Sequence, residues 1–250
     1  MEKLDLLPTA PVADCLKDQV ILITGASQGI GRTLALHAAK HGATVIILGK
    51  SVKKLESLYD EIVTQGYAEP AIHPINLLNM TPDDAQNLAS SIRQMFGRLD
   101  AVVHNAGSVG QITPLEHLPP DKWQTAIHLN LNVPFLLTQA LLPLMRENNN
   151  ASILFTTAQE GLQGKAYWSA YSASKFGIVG LAQSLYEELQ NNTAIRVNCI
   201  NPGVVRTAMR VNAYPGIDPL EFIAPEDIMP TYLYLLSEQA KTINGKWVNC

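Results

Sequence analysis

Short apolar runs alternate with longer amphipathic stretches along the whole chain, and nothing else in the sequence restricts the fold so strongly. The runs QVILIT (19–24), TVIIL (44–48), AIHPI (71–75), LDAVVH (99–104), SILFTT (152–157) and IRVNCI (195–200) are short and largely apolar. That near-continuous apolar character predicts strands of a parallel sheet covered on both faces. Helical spacing fills the intervals near 29–41, 51–65, 81–96, 120–147, 168–191 and 226–237. One helix start is explicit: in TPDD (81–84) Thr81 can cap, Pro82 fits the first helical position, and two acids follow in the first turn. Alternation from end to end predicts an α/β, Rossmann-type doubly wound parallel sheet of about seven strands with helices on both faces. No linker, repeat or low-complexity tract divides the chain, so residues 1–250 read as a single domain. Residues 1–17 read as an irregular amino-terminal arm, and 209–225 as an irregular segment.

Composition narrows the partners. The 250 residues are 47% apolar and 16% charged, ordinary values for a chain with a sizeable core. A net charge of −4 gives no basic footprint and argues against nucleic acid, while a phosphate-bearing small molecule stays open. Cys15, Cys199 and Cys250 are odd in number and widely spaced, which fits a reducing compartment better than a disulfide framework or zinc cage. The opening MEKLDLLPTAPVADC lacks a secretory pattern, and no run approaches the ~20 apolar residues of a membrane span. A cytoplasmic protein with no membrane partner is expected. His37 and His41 fall at the exposed end of one helix, and none of the six histidines has metal-ligand spacing, so no metal site is expected.

The glycine-rich loop TGASQGIG (24–31) follows the first of these strands and opens the first helix. Gly25 allows a tight turn, while Gly29 and Gly31 let backbone amides approach a pyrophosphate at the positive helix end. The spacing is GxxxGxG rather than GxGxxG, and no Lys-Ser/Thr follows as in a Walker loop. At the end of the next strand, IILGKS presents Gly49, Lys50 and Ser51 with no acid. An acid there would hold a ribose 2′-hydroxyl, whereas a lysine and a hydroxyl suit a 2′-phosphate, so NADP(H) is expected over NAD(H). Farther along, Tyr171 and Lys175 sit one helical turn apart, on one face. A lysine ammonium beside a phenol lowers its pKa, which suits a proton donor near neutral pH.

The motifs TGASQGIG, HNAG (104–107), LNLNVPF (129–135), YSASK (171–175) and NPGVVRT (201–207) together resemble the short-chain dehydrogenase/reductase family, over residues 18–248. The surrounding texture looks most like a bacterial YciK-type subgroup. The resemblance implies that Tyr171 is the general acid/base and that Lys175 lowers its pKa while binding the nicotinamide ribose. It implies that Asn130 holds a helix kink and a water that continues the proton relay. Ser27, Gln28 and Ile30 would join the loop glycines around the cofactor, and Asn76 with Leu77 would border its adenine. Asn105, Ala106 and Gly107 would support the sheet beside the cofactor. Pro202, Gly203, Val205 and Thr207 would approach the nicotinamide, Thr207 also being a candidate helix cap.

The departures matter too. Asn76 stands where relatives commonly have an acid, and His104, on an apolar strand, reads as a buried structural residue. The family serine lies thirteen residues before the tyrosine, and that position is Ala158. By strand alternation Thr157 should point to the opposite face and Thr156 should sit one pleat back, so neither replaces it. Gln159, Glu160 or Gln163 could reach a substrate instead, and Tyr167 and Trp168 could line the mouth. The leading expectation is an NADP(H)-dependent oxidoreductase acting on a small or medium apolar carbonyl or alcohol, weakened by Ala158 and covered by 209–225. The alternative is a non-catalytic NADP(H)-binding scaffold or redox sensor. The resemblance also implies a homodimer or homotetramer.

Overall fold

The apolar runs become strands because both of their faces can be buried. In β2 (Val20–Thr24) every residue is buried. Its side chains alternate, Val20 and Leu22 entering one core layer and Ile21 and Ile23 the other. The computed structural model describes residues 1–6 and 11–250. The remaining strands are β1 (Glu2–Asp5), β3 (Thr44–Gly49), β4 (Ala71–Pro74), β5 (Ala101–His104), β6 (Ala151–Thr156), β7 (Ile195–Asn201) and β8 (Lys246–Asn249). All pairings are parallel, in the order β1-β8-β7-β6-β5-β2-β3-β4. Helices α3 (Pro82–Phe96), α5 (Val133–Met145) and α6 (Ser169–Leu189) cover one face. Helices α1 (Gly29–Lys40), α2 (Val52–Thr64) and α8 (Met229–Leu236) cover the other.

The chain winds outward from β2 to β4 and then returns to place β5 on the other side of β2. That reversal opens a crevice at the carboxyl ends of β2 and β5, where ligands of such sheets bind.

Three expectations are corrected. The amino-terminal arm is not wholly irregular: β1 extends the sheet to eight strands, tied to β8 by a Lys246–Glu2 ion pair and by Asn249 Nδ2 donating to Asp5 Oδ1 at 2.6 Å. Positions 7–10 of that arm lie outside the described residues. Segment 209–225 holds a short helix, α7 (Ala208–Ala213), and a 3-10 turn at Pro219–Glu221. The helix expected near 120–147 is broken into α4 (Pro120–Ile127), a π-helical turn at His128–Asn132, and α5. Pro134 explains the break, since it has no N–H for the Asn130 carbonyl four residues back.

The stretch Pro120–Met145 has the length and mean hydropathy, 1.2, of a membrane span. It is nevertheless a core element, with Leu137, Leu141 and Leu144 buried under the sheet.

Candidate functional site: a nucleotide crevice and its mouth

Helix α1 begins without a cap. Gln28 makes no side-chain bond to the first turn, and that turn carries no acid. By contrast, α3 has a complete capping box between Thr81 and Asp84 and two acids in its first turn. The first amides of α1 therefore keep their donors and the positive end of the helix dipole, which favours an anion. Gly25 and Gly29 have φ of +68° and +56°, a region that disfavours side chains. A Cβ on Gly31 would lie 2.5 Å from the Gly25 carbonyl oxygen and 2.6 Å from Asn105 Nδ2. The loop is also pinned to the exit of β5. Thr24 Oγ1 accepts from the Asn105 and Ala106 amides, both at 3.0 Å, and Asn105 Nδ2 donates to the Thr24 carbonyl at 3.1 Å.

At the end of β3, a Cβ on Gly49 would sit 2.8 Å from Ser27 Oγ, which brings the loop onto the strand end. Lys50 is exposed there, and Ser51 starts α2 without capping it. Lys54 Nζ donates to Gln28 Oε1 at 2.7 Å. Sequence reading overlooked Lys54; its signal is the position one turn beyond Lys50 on a helix that starts at the crevice. Asn76 is exposed and accepts from the Leu78 amide at 3.3 Å, while Leu77 is buried. An uncapped helix end, close glycine backbone and an acid-free strand end bearing lysines fit a phosphate-bearing dinucleotide.

Across the crevice, Tyr171 and Lys175 lie on the buried face of α6. Lys175 Nζ donates to the Thr156 carbonyl at 2.8 Å and lies 5.5 Å from the centre of the Tyr171 ring. The expected depression of the phenol is not what this geometry gives. Burial pushes the Tyr171 phenol above its ordinary value, Glu160 adds to the rise, and the Arg210 charge opposes it. Burial also brings Lys175 down to about 8. Asn130 sits in the π turn, as the kink expectation required. Its Nδ2 donates to the Ser108 carbonyl at 2.8 Å and to Ser174 Oγ at 2.9 Å, and its Oδ1 accepts from the Ser108 amide at 2.9 Å. A Cβ on Gly107 would be 3.2 Å from Asn130 Oδ1 and 3.9 Å from Lys175 Nζ. Residues from the loop after β5, the π turn and α6 thus converge on one point.

Ala158 is half-buried where β6 gives way to a 3-10 turn, Gln159–Gly161. Both preceding threonine hydroxyls are enclosed in the fold. Thr156 Oγ1 lies 3.4 Å from the Tyr232 hydroxyl of α8, and Thr157 Oγ1 is buried without a partner beneath Gly161. The mouth beyond Ala158 is aromatic and cationic. Trp168 is buried edge-on to Tyr171, ring centres 5.6 Å apart, and packs on Tyr214 at 5.7 Å. Tyr167, by contrast, is exposed. Lys165 and Arg210 lie over these rings. Sequence reading passed over Lys165, Arg210 and Tyr214; an Arg-Tyr pair one turn apart after the Thr207 cap was the available signal.

Below them, Pro202 is buried, Gly203 is exposed with φ +73°, and Val205 bridges to Ile223. Thr207 caps α7 by accepting from the Arg210 amide at 3.2 Å. Its methyl would be 3.2 Å from a Cβ on Gly29, so the phosphate loop and the mouth touch. His104 is buried as expected, stacked on Phe155 at 4.8 Å with Nε2 2.9 Å from Thr138 Oγ1. His37 is half-buried rather than exposed, and burial lowers its pKa.

Known proteins match this arrangement closely. The family model for short chain dehydrogenase matches residues 19–217. An uncharacterised oxidoreductase, YciK, of Escherichia coli K12 is 44% identical over 235 residues, covering 94% of this chain and 92% of the relative. The solved structure of yciK from E. coli superposes with a TM-score of 0.94 at 43% identity, covering 97% of this chain and 99% of the other. A short chain dehydrogenase from E. coli CFT073 in complex with NADPH gives a TM-score of 0.91 at 44% identity, covering 94% and 98%. These matches run through the glycine loop, the β5 exit and the tyrosine–lysine helix alike. The chain is an NAD(P)-dependent oxidoreductase and belongs to the short-chain dehydrogenase/reductase family.

Proposed function

We propose that this enzyme uses NADP(H) in preference to NAD(H) and acts on a small-molecule carbonyl or alcohol. One observation carries the chemistry: Asn130 and Lys175 meet beside Gly107, past the carboxyl end of β5, and Lys175 lies against the Tyr171 ring. The nicotinamide, when bound, supplies or accepts the hydride. Tyr171 holds a proton at neutral pH, since burial raises its phenol, and gives it to the carbonyl oxygen in reduction. Lys175 keeps its charge up to about pH 8 and, with Asn130, orders the polar path behind the phenol. When the cofactor binds, the amides of α1 would hold its pyrophosphate, Lys50, Lys54, Ser27 and Ser51 its 2′-phosphate, Asn76 and Leu77 its adenine, and Pro202, Gly203, Val205 and Thr207 its nicotinamide. The NADPH complex of the similar chain supports this cofactor.

Ala158 removes one donor to the developing oxyanion, a loss of roughly 10²–10³ in rate, and leaves the class of reaction intact. Phe135 on α5 and Phe176 on α6 are exposed apolar side chains, which supports a homodimer or homotetramer through these helices; sedimentation as a monomer at micromolar concentration would contradict it. We place the enzyme in the cytoplasm. The direct test is Tyr171→Phe, assayed by NADPH oxidation against a carbonyl panel. Turnover should fall by roughly 10²–10⁴, with NADPH affinity retained. Undiminished turnover would remove Tyr171 from the mechanism.

A further inference from the structure

The mouth of the crevice carries a charge that proton and hydride transfer do not use. Lys165 and Arg210 come from different segments and meet over one aromatic platform. Lys165 Nζ lies 4.7 Å from the Trp168 ring centre and 4.9 Å from that of Tyr214, and it donates to the Tyr214 hydroxyl. The Arg210 guanidinium lies 4.0 Å over the other contact of this platform, the Tyr214 ring, and 5.6 Å from Phe222. Trp168 links the platform to the Tyr171 ring at 5.6 Å.

The two cations are not equally satisfied. Glu160 sits 3.7 Å from Lys165 Nζ, and with the Tyr214 hydroxyl it balances that ammonium. Arg210 has no ion pair among the described residues, and its Nε is buried without an acceptor. Stacking on rings favours a cation, but it accepts none of the five N–H groups. A buried donor left unmade costs its full desolvation, and a planar guanidinium is matched best by two oxygens of one anion.

We infer that the substrate carries an anionic oxygen group, a carboxylate or a phosphate, which Arg210 receives at the mouth while the carbonyl faces Tyr171. The inference rests on the oxidoreductase reading for the position of the reacting carbonyl, and it replaces the apolar substrate expected from the sequence. Lys165 widens the positive field, and the Trp168–Tyr214 platform takes the chain that joins the anion to the carbonyl. Arg210 is thus a specificity residue, distinct from the groups that move the proton.

The test reads binding, independently of turnover. The fluorescence of Trp168 in the NADP⁺ complex is titrated with hexanoate, hexyl phosphate and hexanamide, with Trp168→Phe locating the signal. At least one of the anions should saturate at concentrations roughly 10–100-fold below the amide. Arg210→Met should erase that margin, and Arg210→Lys should restore part of it. The stronger anion identifies the group. Equal binding of both anions and the amide, or an Arg210→Met protein that binds anions as the native one does, would overturn the inference. A steady-state arm compares kcat/KM for oxo acids and their methyl esters. The acid-to-ester ratio should exceed ten in the native enzyme and collapse in Arg210→Met, whereas a ratio near one in the native enzyme counts against the inference. Anion binding without any turnover would sink the oxidoreductase assignment to this site and leave the anion site standing.

Discussion

The two halves of the crevice satisfy their polar groups in different ways. On the nucleotide side, Thr24, Asn105, Asn130, Ser174 and Lys175 bond to one another or to backbone across separations of up to 82 residues. Glycines there bring backbone within 2.5–2.9 Å of where a Cβ would stand. On the mouth side, Lys165 and Arg210 lie on aromatic faces, and α7 is a six-residue helix with no buried residue, held by the Thr207 cap and the Val205–Ile223 bridge. The first half is fixed before any ligand arrives. The second consists of long side chains on a weakly anchored segment, where specificity can vary without disturbing the reaction.

Ala158 lies on the border between these halves and gives the largest expected effect. Ala158→Ser should raise NADPH-dependent turnover by about 10²–10³ if the mouth supplies no replacement donor. A gain below threefold would mean that a mouth residue already serves the oxyanion, and the division of labour drawn above would fail.

The rigid half should also be where pH is felt. His104 is fully enclosed at the end of β5, and burial lowers its pKa from 6.5 to about 3. The folded state therefore keeps this ring neutral while the unfolded chain takes up a proton below pH 6.5. Stability contributed by the neutral ring is complete above 6.5 and is lost as pH falls toward 3, by ~1.4 kcal/mol per pH unit. Between pH 6.5 and 5 the native protein should lose about 2 kcal/mol more than His104→Leu, measured by urea unfolding. Parallel profiles would mean that the ring is protonated in the fold.

Gly31→Ala probes the same half by volume. Its Cβ would meet the Gly25 carbonyl, which is backbone, and Asn105 Nδ2, a side-chain end pinned by its bond to the Thr24 carbonyl. A loss of ~1–3 kcal/mol in stability is expected, together with weaker NADPH binding. Gly216→Ala is the mouth-side control for space: nothing lies within 4 Å of its Cβ and its φ is not left-handed, so NADPH affinity should hold. Equal losses of NADPH affinity in the two variants would erase the contrast.

The fold was legible because its signals are local. Each strand run except EKLD is largely apolar over its own length, and Thr81–Asp84 announces α3 in four residues. What escaped reading depends on partners far along the chain. EKLD has too few apolar residues to read as a strand and becomes one only against Lys246–Asn249. The same holds within the site. Tyr171 and Lys175 are visible at a four-residue spacing, whereas Lys165, Trp168, Tyr214 and Arg210 converge only after α6 and α7 pack. Even the visible pair misled on one point. Spacing places Lys175 on the right face, but the Thr156 carbonyl holds its ammonium and burial dominates the phenol.

The smallest effect concerns the cofactor and tests whether the fixed half has an adjustable rim of its own. Lys50 is exposed at the end of β3, and Lys54 reaches back to Gln28. Both are open to solvent, so each contact with a 2′-phosphate is screened and should be worth about 1 kcal/mol rather than the larger value of a buried pair. Lys50→Ala and Lys54→Ala should each raise the Kd for NADPH roughly threefold to tenfold, with the effect shrinking at high salt. Affinity for NADH should not move, because neither lysine has a phosphate to meet there. Lys54→Ala should show the smaller loss, since Gln28 already holds its ammonium and must release it to bind. If native protein binds NADH more tightly than NADPH, the lysines are ordinary solvated residues and the preference for NADP(H) is wrong.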